Sequence, residues 1–371
     1  MKKLGFGLMR LPLLDPHDDG SIDMEQAKRM VDLFMEKGFT YFDTAWMYHG
    51  YKSENAVKTL LTSRFPRDSF TLATKLHADF AKTPDDLDRI FNSQLEKCGT
   101  DHFDYYLLHD QNKRIFEKCK KLGAFEWLKE KKRQGLVRRI GFSFHDSAEV
   151  LEEVLSYFPE AEFVQLQINY IDWDSEAIQS RRNYETARRF GKDVIVMEPV
   201  KGGTLAKVPE EAERLMLGAC PDRSIASWAI RFAASLPGVI TVLSGMSDME
   251  QVKDNLSYME DFHPLDETEK GILRKVVRII NGRTVIPCTS CAYCTTVCPV
   301  KIPIFRYFAL YNKDAQELEG KGYTSAKENY DELTQVFAGA GECIKCGACE
   351  QICPQHLNIR ELLETAADYF E

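Results

Sequence analysis

Short apolar segments alternate with longer amphipathic segments from about residue 4 to residue 258, and this alternation restricts the fold more than any other feature. The short segments match buried strands and the longer ones carry helix signals. Asp23 can cap a helix that stops at Gly38, and Thr83-Pro84-Asp85-Asp86 places a cap, a first-turn proline and acidic residues in the order that a helix start prefers. Eight strands are predicted: Gly5–Met9, Tyr41–Asp43, Thr71–Thr74, Tyr105–Leu108, Ile140–Ser143, Phe163–Leu166, Val194–Met197 and Thr241–Ser244.

The predicted strands lack a clean alternation of apolar and polar residues, as expected when both faces of a parallel sheet are buried. Eight strand–helix units in about 250 residues predict a (β/α)8 barrel, with a doubly wound open sheet as the alternative. No glycine-rich phosphate fingerprint follows the first strand, which disfavours a Rossmann domain. The turn and helix cap predicted at His263-Pro264-Leu265-Asp266 place the barrel at residues 1–262 and a small, mostly helical domain at residues 263–371.

Two copies of one cysteine pattern lie in this second domain, and they contain eight of the eleven cysteines. Each copy reads Cys-x2-Cys-x2-Cys-x3-Cys-Pro, a spacing that binds 4Fe–4S clusters, with the fourth cysteine of each run on the other run's cluster. Structural zinc usually takes two separated cysteine pairs, and a disulfide framework suits secreted chains. The sequence therefore predicts two clusters, one held by Cys288, Cys291, Cys294 and Cys353 and the other by Cys343, Cys346, Cys349 and Cys298.

Composition restricts the partners of this chain. Its 371 residues carry a formal net charge of −9, which argues against nucleic-acid binding because such proteins normally show a basic face. No apolar run approaches the ~20 residues that a membrane-spanning helix needs, and the first residues contain no apolar signal core. We expect a cytoplasmic protein that binds neither nucleic acid nor membranes.

Four polar residues lie at or just after predicted strand ends, where barrel enzymes build their active sites. Asp43, Lys75 and His109 end the second, third and fourth strands, and Tyr48 follows Asp43 in the loop. Tyrosine is a weak acid with a free pKa of roughly 10. A nearby ammonium lowers that pKa, and a buried carboxylate keeps the ammonium charged. The set predicts a tuned proton donor with His109 orienting a carbonyl oxygen, whereas a structural ion pair and a core histidine are the plainer alternatives.

In this order and at these strand ends, Asp43, Tyr48, Lys75 and His109 resemble the catalytic tetrad of the aldo-keto reductases. The resemblance covers about residues 4–258, and the whole chain is similar to the bacterial branch with a C-terminal ferredoxin-like domain. It implies a nicotinamide cofactor whose C4 hydride moves to a carbonyl carbon while Tyr48 protonates the oxygen. Further matches are Gly5-Phe6-Gly7, Ser53-Glu54, Ile140-Gly141-Phe142-Ser143, the segment Glu198–Gly203 and the segment Ser244–Asn255.

The resemblance also implies the cofactor-binding residues. Ser143 and Gln165 would hold the carboxamide, although Phe144 replaces the asparagine that usually helps them. Met197 stands where a tyrosine commonly stacks on the nicotinamide. The backbone groups that contact the phosphates would be those of Gly202, Gly203, Leu205, Ser244, Gly245 and Met246, with Gly7 near the start. Asp254 and Asn255 would reach the adenine.

The residues that usually grip the 2′-phosphate of NADP are basic, but the aligned residues here are Gly245 and Gln251. Arginine or lysine is the natural partner of that phosphate, and Lys253 is a nearby substitute. The resemblance implies NADPH as the cofactor, with NADH as the alternative.

Three functions fit these features. The favoured one is a nicotinamide-dependent oxidoreductase that interconverts a small-molecule carbonyl and an alcohol and carries two 4Fe–4S clusters. The alternative is an electron-transfer oxidoreductase whose clusters link a ferredoxin-type carrier to the barrel. Clusters move single electrons whereas nicotinamide moves a hydride, so this route normally needs a flavin, for which the sequence shows no signature. A barrel that serves only as a scaffold would not need the tetrad.

Overall fold

Eight parallel strands close into a barrel in sequential order, and β1 pairs with β8. The computed structural model describes residues 2–16, 18–282, 285–317 and 326–371. The closed barrel confirms the predicted (β/α)8 fold and excludes the open doubly wound sheet. The strands are β1 Leu4–Gly7, β2 Tyr41–Asp43, β3 Thr71–Leu76, β4 Phe103–Gln111, β5 Val137–Phe144, β6 Phe163–Gln167, β7 Asp193–Met197 and β8 Val239–Ser244.

Helices separate the strands and dominate the chain after β8. Asp23 caps α1 by accepting a hydrogen bond from Gln26 N at 3.0 Å, and Asp266 forms a capping box with Glu269 at the start of α12. None of the described helices combines the length and the apolar character that crossing a bilayer requires. The helices are α1 Met24–Glu36, α2 Tyr48–Tyr51, α3 Ser53–Val57, α4 Asp85–Cys98, α5 Lys113–Leu122, α6 Ala124–Arg133, α7 Ala148–Tyr157, α8 Ser180–Arg189, α9 Glu210–Ala219, α10 Ile225–Ala234, α11 Met249–Met259, α12 Glu267–Asn281, α13 Tyr293–Thr296, α14 Ile304–Glu317, α15 Ala326–Thr334, α16 Ala348–Gln351 and α17 Ile359–Phe370.

Large side chains from several strands form one buried cluster inside the barrel. The rings of Tyr41 and Tyr105 meet edge to face at 5.2 Å between centroids, and those of Tyr105 and Phe163 at 5.0 Å. Gly141 on β5 permits this packing, because a Cβ there would overlap the carbonyl oxygen of Phe163. Glycine on one strand therefore makes room for an aromatic side chain on the next.

The chain divides into two compact units. Unit 1 comprises Met1–Pro199 and Ser227–Leu265, and unit 2 comprises Val200–Ala226 and Asp266–Glu371. Unit 2 is discontinuous because α9, which precedes β8, packs against α12. Ala212 and Met216 of α9 are fully buried.

Unit 2 is mostly helical, as predicted, and has its own aromatic core. The ring of Tyr330 lies 4.5 Å from that of Tyr307 and stacks on Phe370 at 4.7 Å. The Tyr330 hydroxyl accepts a hydrogen bond from Ala340 N at 2.8 Å. These contacts join α14, α15 and α17, and most of the cysteines of the two runs pack against this core.

Candidate functional site

Asp43, Tyr48 and Lys75 converge at the carboxyl ends of β2 and β3. Lys75 Nζ forms an ion pair with Asp43 Oδ1 and donates hydrogen bonds to Thr44 O at 2.8 Å and to Tyr48 OH at 3.3 Å. Lys75 is 1% exposed and Asp43 3% exposed, whereas Tyr48 is half-buried. The lysine therefore connects a buried carboxylate to a phenol at the barrel mouth.

His109 lies beside this group near the end of β4. The strand pairing is irregular between Leu108 and Gln111, and Asp110 adopts a left-handed backbone conformation with φ of 56°. The imidazole meets the ring of Tyr48 edge to face at 6.0 Å between centroids. Its Nδ1 is buried without a hydrogen-bond partner among the described residues. The structure thus brings all four predicted catalytic residues together.

A buried network supports the strand that carries Lys75. Glu54 of α3 accepts hydrogen bonds from Thr74 Oγ1 at 2.8 Å and from Gln94 Nε2 at 2.6 Å. Gln94 Nε2 also donates to Lys75 O at 3.0 Å. Since Glu54 is fully buried, these bonds fix the backbone of Lys75 from behind the site.

The residues predicted to contact the nicotinamide lie on neighbouring strands of unit 1. Ser143 pairs with Gln165 in the β5–β6 register, and Gln167 pairs with Met197 in the β6–β7 register. Ser143 Oγ accepts a hydrogen bond from Asp110 N at 2.8 Å, which ties β5 to the end of β4. Gln165 Oε1 is buried and has no hydrogen-bond partner in the described part of the chain.

The segment after β8 holds most of the other predicted cofactor residues. Gly245 is exposed, Met246 is buried, and Asn255 Nδ2 donates to Ser244 Oγ at 2.8 Å. Asn255 Oδ1 accepts from Tyr258 OH, so both polar ends of this amide are engaged within the chain. Gln251 Oε1 accepts from Ser247 N at 2.9 Å. Asp254 is half-buried on α11.

Gly7 and the segment after β7 complete the predicted set. Gly7 ends β1, and a Cβ there would lie 3.4 Å from Ser244 O, an ordinary contact. Gly202 and Gly203 belong to unit 2 and have φ of 65° and 100°, values that favour glycine. Leu205 is fully buried in the same unit.

The two cysteine runs have the same local backbone. Left-handed residues occur at equivalent positions: Ser290, Ala292 and Lys301 in the first run, and Lys345, Gly347 and His356 in the second. Each run also contains one short helix, α13 or α16. Two runs with matching turns are expected if each wraps around the same kind of group.

The cysteines gather in the two predicted sets. A cavity is lined by Cys298 together with Cys343, Cys346 and Cys349. Burial raises the pKa of the Cys294 thiol to about 12, and the neighbours that raise it further are Cys291, Cys288 and Cys353.

The fourth cysteine of each run thus lies near cysteines of the other run, the arrangement that crossed ligation of two clusters predicts. Apolar residues such as Ile302, Ile304 and Leu363 line the cavity and would shield a cluster from water. The donor set and its surroundings therefore fit iron–sulfur clusters.

A family model described as the aldo/keto reductase family matches residues 3–278. The chain belongs to the aldo/keto reductase family. A second model, described as a 4Fe-4S dicluster domain, matches residues 284–357. The protein is thus an oxidoreductase that combines the aldo-keto reductase barrel with an iron–sulfur domain.

Solved structures of other aldo-keto reductases share the barrel. An aldo-keto reductase from Bacillus halodurans in its holo form is 26% identical with a TM-score of 0.59, over 74% of this chain and 91% of that one. A thermostable aldo-keto reductase in complex with the inhibitor epalrestat is 24% identical with a TM-score of 0.59, over 74% and 94%. An aldo/keto reductase from Klebsiella pneumoniae in complex with NADP and acetate is 19% identical with a TM-score of 0.60, over 74% and 91%. No curated protein sequence matches the chain.

The electrostatics of this aldo-keto reductase site differ in one respect from the sequence-based expectation. Burial raises the pKa of Tyr48 well above its ordinary value, and the carboxylates of Asp43, Glu198 and Asp110 raise it further. A lowered pKa was expected from Lys75 alone. The direction reverses because the phenolate would be desolvated among negative charges. Tyr48 therefore keeps its proton at neutral pH, as a proton donor must.

The other three residues of the tetrad are also shifted by burial. Burial lowers the pKa of His109 well below its ordinary value, and electrostatic interactions with Lys75, His77 and His145 lower it further, so the imidazole is neutral. Burial lowers the pKa of Lys75 and raises that of Asp43, while their mutual attraction opposes both shifts.

Two residues near the barrel mouth were not found from the sequence. Asp110 Oδ2 lies 3.4 Å from His77 Nε2, and the His77 ring meets His109 at 5.7 Å between centroids. Arg10 follows β1 and packs against Gly245. Its position directly after a barrel strand was the available signal, because functional residues of this fold follow strand ends.

Proposed function

We propose that this aldo-keto reductase interconverts a small-molecule carbonyl and an alcohol by hydride transfer, with Tyr48 as the proton donor and NADPH as the cofactor, NADH being the alternative. The observation that carries the proposal is the buried Asp43–Lys75 pair with its hydrogen bond to Tyr48 beside the neutral His109. The relative in complex with NADP supports the cofactor.

Each residue of the tetrad has a distinct task in this proposal. When bound, the nicotinamide supplies the hydride. Tyr48 gives its proton to the carbonyl oxygen, and the ammonium of Lys75 stabilises the phenolate that remains. Asp43 keeps that ammonium charged. His109 is neutral, so it can donate one N–H to the same oxygen without competing as an acid.

The remaining site residues are proposed in the roles that the family resemblance implies. Ser143 and Gln165 hold the carboxamide, and Met197 packs on the nicotinamide. The backbone groups of Gly202–Leu205 and Ser244–Met246 meet the phosphates, with Gly7 nearby. Gln251 lies close to the ribose, and Asp254 and Asn255 lie close to the adenine.

We also propose two 4Fe–4S clusters in the crossed arrangement, held by the two cysteine sets described above. The cavity that unites Cys298 with the second run supports the crossed arrangement. The iron–sulfur domain is proposed to start near residue 263, where the sequence places the boundary.

The Tyr48→Phe variant tests the function most directly. Loss of a general acid typically costs 10²- to 10⁴-fold in rate, so carbonyl reduction should fall by about that factor. NADPH affinity and iron content should not change. Tyr51→Phe is the matched control, since Tyr51 lies on the same short helix and is 47% exposed. Full turnover in Tyr48→Phe would remove Tyr48 as the proton donor.

Electron transfer to a ferredoxin-type carrier is the second candidate. The observation that favours it is the exposure of Cys346 and of Ile344, which is 61% exposed, beside one proposed cluster. An exposed ligand allows a partner to approach the cluster closely. Mixing the cluster-loaded protein anaerobically with NADPH and then NADH tests this route. Bleaching of the cluster absorbance supports it, whereas unchanged clusters during carbonyl turnover support chemistry in the barrel alone.

A further inference from the structure

Arg10 joins the end of β1 to the segment that follows β8. It closes the 3₁₀ turn Leu8–Arg10, and its backbone oxygen accepts a hydrogen bond from Ser247 Oγ at 3.0 Å. Its side chain lies over Gly245, where an added Cβ would stand 3.2 Å from both Cβ and Cδ of Arg10. Glycine at 245 therefore leaves the space that the aliphatic part of Arg10 occupies.

The guanidinium of Arg10 contains an unsatisfied donor. Its Nη2 is buried and has no hydrogen-bond partner among the residues that the structure describes. Other arginines of unit 1 are committed to carboxylates: Arg67 binds Asp104 and Arg139 binds Asp193, both at 2.8 Å. A buried donor without an acceptor is costly, and the cost is larger when the group is charged. Such a group marks a place where a ligand can supply the acceptor.

The other residues that could bind an anion near Gly245 already form contacts within the chain. Lys253 Nζ forms an ion pair with Glu250 at 2.8 Å, and both side chains are exposed. The amide of Gln251 binds Ser247 N and Asp248 Oδ2. Among the described residues of this neighbourhood, Arg10 is thus the cation with a buried donor that has no acceptor.

We propose that Arg10 binds the 2′-phosphate of NADP(H) and makes the site prefer NADPH over NADH. The inference rests on the proposed function, because it assigns the cofactor of the same site. A guanidinium binds a phosphate through two parallel hydrogen bonds. By the family resemblance, Gly245 stands at the usual basic position, and Arg10 reaches the same place from the 3₁₀ turn that follows the neighbouring strand, β1. Arg10 thus supplies the positive charge that Gly245 lacks.

Nucleotide affinities of the full-length, cluster-loaded protein test this assignment. Quenching of protein fluorescence measures binding of NADPH and NADH to wild type, Arg10→Met and Lys253→Met. Each hydrogen bond to a charged group strengthens binding about 10- to 150-fold, so losing the two that Arg10 donates should weaken NADPH binding at least about 100-fold. NADH affinity should stay within about twofold of wild type, because NADH lacks the 2′-phosphate. Lys253→Met should bind both nucleotides as wild type does.

Two further variants test the same inference if Arg10→Met does not fold. Gly245→Ala places a Cβ against the aliphatic part of Arg10 and should weaken NADPH selectively, although by less. Arg10→Lys retains the charge without the planar pair of donors, so it should recover part of the NADPH affinity.

The inference would be overturned if Arg10→Met weakened the binding of NADPH and NADH equally, or if it left the NADPH affinity unchanged. Selective loss of NADPH affinity in Lys253→Met would transfer the role to Lys253. If wild type prefers NADH, the inference fails while the proposed function stands. If wild type binds neither nucleotide, both fail.

Discussion

Replacing Asp43 by asparagine should expose the cost of a buried ammonium that has lost its counter-ion. Lys75 is 1% exposed, and its other two acceptors, Thr44 O and Tyr48 OH, are neutral. Removing one partner of a buried ion pair usually costs about 3–5 kcal/mol. The chain can limit this cost by releasing the lysine proton.

The cost of that release sets an upper bound on the loss of stability. For a lysine with an ordinary pKa of 10.5, deprotonation at pH 7 spans 3.5 pH units, or about 5 kcal/mol. At pH 8.5 the same calculation spans 2 pH units, or about 3 kcal/mol. We therefore expect the melting temperature to fall by about 6–20 °C at pH 7 and by less at higher pH.

The sign of this pH dependence follows from proton counting. In the variant, the unfolded chain binds one proton at Lys75 that the folded chain has lost, so stability rises with pH. In wild type, Asp43 and Lys75 together hold one proton between pH 7 and 8.5, in the folded chain and in the unfolded chain alike. The gap between variant and wild type should therefore narrow by about 1.4 kcal/mol per pH unit.

Anaerobic thermal unfolding of cluster-loaded protein at pH 7 and 8.5, followed by near-UV circular dichroism, measures the gap. Asp193→Asn is the matched control: it breaks the Arg139–Asp193 pair, whose side chains are 28% and 38% exposed. Its cost should stay below about 1 kcal/mol at both pH values. A melting temperature of Asp43→Asn equal to that of wild type, or a gap that does not narrow with pH, would refute the reasoning.

Two further predictions concern the clusters and the proton donor. Cys353→Ala should remove the cluster held by Cys288, Cys291 and Cys294, while Cys298→Ala removes the other cluster. Iron content and electron paramagnetic resonance check this, and loss of the opposite cluster in either variant would contradict the crossed arrangement. Because the pKa of Tyr48 is raised and that of His109 is lowered, carbonyl reduction should stay constant from about pH 6 to 10 and fall only above the ordinary tyrosine pKa of about 10. An inflection near pH 7 in the rate profile would show that another group controls the step.

The convergence of the four proposed catalytic residues was predictable because each lies at or just after the end of a strand whose apolar pattern is visible in the sequence. Lys75 and Asp43 lie on adjacent strands, so the pairing of β2 with β3 brings them together. The cysteine sets were predictable because the spacing within each run is characteristic of cluster ligands.

The direction in which the pKa of Tyr48 shifts was not predictable from the tetrad alone. It depends on burial and on Asp110 and Glu198, which come from β4 and the end of β7. Arg10 was missed for a similar reason. Its contact with Gly245 exists only after β1 pairs with β8, the two strands that are farthest apart in the chain.

The discontinuity of unit 2 has a consequence for biosynthesis. The ribosome releases α9 before β8, but α12, against which α9 packs, ends only at Asn281. From Ala219, where α9 ends, to Asn281 there are 62 residues to synthesise, which takes about 3–12 s at typical elongation rates. During that interval the apolar face of α9, with Ala212 and Met216, has no covering helix from this unit. The nascent chain therefore leaves the apolar face of α9 uncovered by its partner helix until α12 has been synthesised.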